Sequence, residues 1–222
     1  MKKTCLTVAL GLALSLVAGA AFAKFEPKFE ATLSDTKVNA NPALGFHLEF
    51  AEDDEEIGDF KAIIPKGFNI AGDAEVPDGE EIGGGTVEIA AGPDCRPGPE
   101  GQIPVKVPVT VNATIFERAR SDDEADSGVH AVWFLDLEPL NRVRLLVTGS
   151  PTTGWTIQGA PTPSDNTCNP LVVDLAINAQ SESGVPILTN PKKAGKYKFL
   201  AEIASQDSPA VAKFKQVFKI TK

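Results

Sequence analysis

Histidine is nearly absent from this chain. Its 222 residues include only two, His47 and His130, so a Ser-His-Asp hydrolase or a histidine-bound metal centre has little to build on. His47 alternates with apolar residues and is expected to face water beside Glu49, while His130 leads into the apolar run Ala131-Val132-Trp133-Phe134-Leu135. No G-x-S-x-G elbow occurs. Ser34-Asp35-Thr36-Lys37 matches S-x-x-K, but the S-D-N and K-T-G elements that such enzymes require are missing, so the match reads as chance. Cysteine is scarce too, with three residues, Cys5, Cys95 and Cys168, and no C-x-x-C pair. Zinc, which needs about four ligands, is set aside. A long apolar segment is missing beyond the first residues, and so is convincing helical periodicity. Basic charge is in deficit: the formal net charge is −9, which argues against a nucleic-acid partner held by phosphate contacts.

What is present begins with the leader. Met1-Lys2-Lys3 is basic, Leu6 to Val17 is apolar, and Ala21-Phe22-Ala23 is a small-x-small cleavage site. Residues 1–23 read as a secretory signal peptide removed before Lys24, and the run is short of the roughly 20 residues that span a bilayer. The protein is therefore expected in the periplasm or outside the cell, not membrane-spanning after cleavage. Cys5 leaves with the leader, and Lys24 rather than a cysteine stands immediately after the cut, so a lipid anchor is not expected. In an oxidising compartment Cys95 and Cys168 are expected to form a disulfide. It would close a loop of roughly 70 residues, worth on the order of 4 kcal/mol.

Residues 24–222 form one domain in this reading, long enough to bury a core. A subdivision near 121–128, the acidic stretch Ser-Asp-Asp-Glu-Ala-Asp-Ser-Gly, is the alternative. Charge is uneven: residues 24–126 carry 23 acidic and 9 basic side chains, residues 127–222 carry 7 and 10.

Two-residue alternation dominates. Phe46, Leu48 and Phe50 alternate with polar neighbours, as do Ile103 to Val111, Val143 to Val147, Tyr197 to Ile203, and Ala212, Phe214, Phe218 and Ile220. Such patterns put one face on a core and one in water, the habit of antiparallel strands. Between them, Asn39-Ala40-Asn41-Pro42, Pro77-Asp78-Gly79, Gly83-Gly84-Gly85, Gly92-Pro93, Pro97-Gly98-Pro99 and Gly149-Ser150-Pro151 read as turns. Many short strands with regular turns predict an all-β antiparallel sandwich with long loops. Pro104 and Pro108 predict that their strand lies at an edge, and the lysines of 196–198 and 213–219 suit edge protection.

Candidate site residues are few. Asp122, Glu124 and Asp126 are candidate calcium ligands in an acidic loop. They do not make an EF-hand, because Ser127 stands where Gly is needed and Trp133 where Glu is needed. The plainer reading is a solvated charged loop. Trp133 reads as core. Trp155, after Pro151-Thr152-Thr153-Gly154, is expected to be loop-borne and exposed, and is the aromatic expected to contact a ligand such as a sugar.

The order Leu33-Ser34-Asp35-Thr36, Ala40-Asn41-Pro42, Phe46-His47-Leu48-Glu49-Phe50, Ile64-Pro65-Lys66-Gly67-Phe68, Ile82-Gly83-Gly84-Gly85-Thr86-Val87 and Cys95 resembles secreted bacterial surface domains of immunoglobulin-like type. Ala194-Gly195-Lys196-Tyr197-Lys198-Phe199 is similar to the entry into a late sandwich strand of such domains. The acidic residues 52–56 and the region 112–141 depart from that pattern. The resemblance implies an immunoglobulin-like β-sandwich and a role in surface attachment, adhesion or scaffolding, and it transfers no functional residue. The expected function is an exported, non-catalytic binding or structural module with a protein or glycan partner in the envelope, working through loops or an exposed sheet edge. The alternatives are a calcium- or carbohydrate-dependent adhesion module and a secreted hydrolase using a carboxylate pair.

Overall fold

The computed structural model describes residues 25–51, 54, 57–91, 107–138, 141–160 and 170–222. The leader, Cys95, Cys168, Pro104 and most of the 52–56 acidic cluster lie outside the described residues. The regular structure of the described chain is strand, β1 (Lys28–Leu33), β2 (Leu44–Glu49), β3 (Ile57–Ile64), β4 (Asn69–Ile70), β5 (Glu81–Ala91), β6 (Val107–Arg118), β7 (Val129–Glu138), β8 (Asn141–Ser150), β9 (Gly154–Ala160), β10 (Pro170–Ile177), β11 (Leu188–Thr189), β12 (Gly195–Ser205) and β13 (Val211–Ile220), with one short helix, α1 (Asp122–Asp126), between β6 and β7.

The all-β, antiparallel expectation holds. The strands do not divide into the two stacked sheets of an immunoglobulin-like sandwich, however. Eleven of them form one sheet in the order β1-β2-β10-β5-β6-β7-β8-β9-β3-β12-β13, and β4 pairs separately with β11. The large sheet curls into a nearly closed barrel. Because neighbours alternate in direction, the first and eleventh strands run the same way, so closure must join a parallel pair. The two ends do meet. The Gln216 side-chain amide accepts from Ala31 N–H at 3.0 Å and donates to Ala31 C=O at 2.5 Å. Past the strand ends, Thr221 N–H donates to Thr36 C=O at 2.7 Å and Val38 N–H to Thr221 C=O at 2.9 Å, around a parallel bridge between Lys37 and Thr221. Parallel pairing is somewhat the weaker kind, and here a side chain substitutes for part of it.

The alternation read in the sequence sorts residues between barrel interior and exterior. Phe29, Phe46, Phe199, Phe214 and Phe218 point inward and pack ring against ring across the seam, with Phe29 to Phe214 centroids 5.5 Å apart and Phe29 stacked on Phe199 at 6.1 Å. The interior is filled by side chains, among them Trp133, Ile115, Ile157 and Ala201, and the β4–β11 pair adds Ile70 and Leu188 to the same core. Outward positions carry Lys28, Glu30, His47, Glu49, Asp174, Arg142 and Arg144. That is the reverse of a membrane-spanning barrel, which is apolar outside. No helix among the described residues is long and apolar enough to cross a membrane.

Three local expectations are corrected. Gly83-Gly84-Gly85 is no turn but the middle of β5, between β10 and β6. A Cβ at Gly83 would lie 2.3 Å from Ala176 O, at Gly84 2.6 Å from Ala113 O, and at Gly85 1.9 Å from Asp174 O. Glycine is there because the sheet bends too tightly for side chains, as at barrel corners. The strand carrying Pro108 is interior rather than an edge, paired to β5 and to β7. Pro108 itself lies beyond Asn112, the last residue in register with β7, so its missing donor falls where the strand has a single partner. The acidic 121–128 stretch joins two neighbouring strands of one sheet and holds a capped helical turn: Ser121 Oγ accepts from Glu124 N–H, and the Glu124 carboxylate accepts from Ser121 N–H.

Candidate functional site

The outer face of the β12–β13 hairpin is the most distinctive surface. Residues 196, 198, 200, 202 and 204 of β12 point outward, as do 211, 213, 215, 217 and 219 of β13. The register sets Lys196 opposite Lys219, Lys198 opposite Val217, Leu200 opposite Lys215, Glu202 opposite Lys213 and Ala204 opposite Val211. All five lysines are exposed. Only Lys213 has a carboxylate partner among the described residues, Glu202 at 3.2 Å. Leu200 is 37% exposed, and Val211 and Val217 are each 46% exposed. They are the large apolar residues left open to solvent among the described residues; Leu200 and Val217 stand between these lysines, and Val211 lies at the end of the face, opposite Ala204. β13 is the last strand of the sheet, as its lysines led us to expect, whereas β12 is interior from Leu200 onward, where it pairs with β3.

The second feature is an outer groove of about 340 Å³ over β1, β2, β10 and β5, lined by Glu30, Thr32, Gly45, His47, Asp174 and Ala176 among others. The groove exists because a row of small residues, Gly45, Ala176 and Gly84, crosses three adjacent strands in register. His47 stands beside it. Its Nδ1 lies 2.6 Å from Asp174 Oδ1 and its Nε2 3.3 Å from Glu49 Oε1, while Lys28 Nζ lies 2.5 Å from the other Glu49 oxygen. The hydrogen bond to Asp174, then that to Glu49, raises the His47 pKa above its ordinary 6.5. Lys28, then His47, lowers that of Glu49. With a carboxylate on each ring nitrogen, the imidazole has no free nitrogen to take a proton from a nucleophile. The two carboxylates also sit on opposite edges of the ring and do not converge on a common point. Among the described residues no group of three or more His, Cys, Asp or Glu is disposed to hold a metal ion.

The third feature is Glu117, fully buried at 0% exposure on the inward face of β6. Trp133 Nε1 donates to its Oε2 at 2.6 Å, and its Oε1 has no partner among the described residues. Burial, only partly offset by the indole hydrogen bond, pushes its pKa up to about 8. Nearby, Asp73 pairs with Arg120 at 2.8 Å.

The residues singled out from sequence lie elsewhere. Trp155 is not exposed on a loop. It begins the inward row of β9, is 2% exposed, and donates from Nε1 to Phe68 C=O at 2.9 Å, with the His130 ring 4.6 Å away. Its indole has no face open to a sugar. Trp133 is core, as read. Asp122, Glu124 and Asp126 sit on α1, not in an open loop, and Glu124 is engaged by Ser121 and Arg144. Cys95 and Cys168 fall outside the described residues. What the reading passed over is the aliphatic part of the hairpin face. The available signal was a break in the β13 alternation: Gln216 occupies an inward position and Val217 an outward one.

No protein-family model matches the chain, and none of the curated proteins matches it.

Proposed function

We propose that the protein is an exported, non-catalytic binding module of the cell envelope, acting through the outer face of its β12–β13 hairpin. The observation that carries this reading is the concentration of lysines, four of the five without a carboxylate partner among the described residues, and of open aliphatic side chains on one face of a chain whose net charge is negative. Charge alone protects an edge strand. Exposed Leu200, Val211 and Val217 do the opposite, since open apolar side chains grouped on one face are a mark of interaction. Apolar side chains pack together in the described interior, and His47 is engaged on both ring nitrogens, which supports binding over catalysis. Residues 1–23, with their basic, apolar and small-x-small segments, support export.

The test is site-specific photocrosslinking in cells. A photoreactive amino acid replaces Val217 on the hairpin, and Arg144 on β8 as the control. A dominant adduct in the envelope fraction from position 217 and not from 144 is the expected result. Equal labelling from both positions, or none from 217, overturns the reading.

A further inference from the structure

We infer that the hairpin face is built to lie on an anionic lipid surface, an inference that rests on the binding-module reading above and names its partner. The composition of the face separates three classes of partner. Protein interfaces favour aromatic residues and arginine at their centres and are depleted in lysine; here all five cations are lysine and no aromatic points outward. Single-stranded nucleic acid is gripped by aromatic stacking and arginine, and this face has neither. A layer of lipid headgroups asks for something else: several point charges on flexible stems that follow mobile phosphates, with small aliphatic groups that dip between them. Lys196, Lys198, Lys213, Lys215 and Lys219 supply the first, and Leu200, Val211 and Val217 the second.

The geometry is consistent with shallow contact. Successive outward side chains of two paired strands stand on one twisted ribbon, and lysine stems lie along the neighbouring aliphatic groups while their ammonium ends reach outward. Glu202 is the one acid among these positions, and it is matched by Lys213 at 3.2 Å. The other four lysines have no carboxylate partner among the described residues and can face phosphate. The acidic side chains Glu30, Glu49 and Asp174 lie over β1, β2 and β10, across the seam from β13. An anionic surface would repel that side and turn the hairpin towards itself.

Co-sedimentation of the exported chain with phosphatidylcholine vesicles, with and without roughly one-third phosphatidylglycerol, tests the inference. Binding is expected only to the anionic vesicles and should weaken as salt is raised. Lys215→Gln and Lys219→Gln should each reduce affinity about fivefold, the equivalent of about 1 kcal/mol per lysine near such a surface. Leu200→Ser with Val217→Ser should reduce it at unchanged charge. Arg144→Gln, on β8 three strands from β12, is the control. All these side chains are at the surface, and a thermal melt verifies that each variant is folded. Absence of binding to anionic vesicles by the parent chain, or binding unaffected by the lysine and aliphatic variants, overturns the inference. A protein adduct at position 217 without vesicle binding would overturn it too, yet would leave the binding-module reading standing.

Discussion

Glu117 carries a carboxyl group into the barrel interior with a single hydrogen-bond donor, the Trp133 indole. Its pKa is about 8, against an ordinary 4.5. Between those values the unfolded chain has released the proton while the native chain still holds it. Stability therefore falls as pH rises across that window, by up to about 1.4 kcal/mol per pH unit. Glu117→Gln keeps an acceptor for the indole and removes the titration. The variant is expected to melt close to the parent near the lower end of the window and above it near the upper end. Parallel melting curves at every pH would refute the burial argument. His47 works with the opposite sign. Its raised pKa means that the charged imidazole stabilises the native state, fully below 6.5, and that this contribution disappears as pH rises through the higher folded-state value. Because the ring is well exposed, the effect is a few tenths of a kcal/mol. His47→Gln should lower the melting temperature in mild acid and leave it unchanged once the imidazole is neutral in both states; a deficit that persists at high pH would show that packing, not charge, is responsible.

At the level of strands, alternation made most of the architecture readable. Phe46, Leu48, Leu145, Val147, Phe199 and Phe218 all face the interior as their spacing implied. Glycine misled, because the same residue serves turns and tight sheet bends, and only the neighbouring strands distinguish the two. Nothing local to Gly83-Gly84-Gly85 announces that β10 and β6 will crowd it. Gly85→Ala would set a Cβ 1.9 Å from Asp174 O, and a loss of at least about 2 kcal/mol in urea unfolding is expected. An unchanged midpoint would mean that the bend relaxes freely. Trp155 misled for a related reason: its loop-like prefix is the β8–β9 turn, and the indole then turns inward on β9. Gln216 was unreadable as a seam residue, since its partner is Ala31, 185 positions away. Gln216→Leu keeps the volume and removes both bonds to Ala31. A cost of about 2 kcal/mol and faster hydrogen exchange at the Ala31 amide are expected, while unchanged exchange would mean that the seam is held by the phenyl rings alone.

For the molecule as a whole, the sequence shows an uneven charge distribution but not which surfaces receive it. The barrel places the acidic strands β1, β2 and β10 on one side of the seam and the lysine-rich hairpin on the other. Sheet closure was beyond sequence reading altogether, because pairing between distant strands leaves no periodic trace. That closure has a consequence in time. A polypeptide emerges N-terminus first, whether from a ribosome or a translocation channel. β1 can pair with β2 early, but its other side is completed by Gln216 and by the bridge of Lys37 to Thr221, which appear only after the other strands of the sheet. The barrel is thus a circle that only its final strand can complete. Until then the phenyl rings of Phe29 and Phe46 stand open, and a chain halted before β13 would be left as a curled sheet with an unsealed apolar interior.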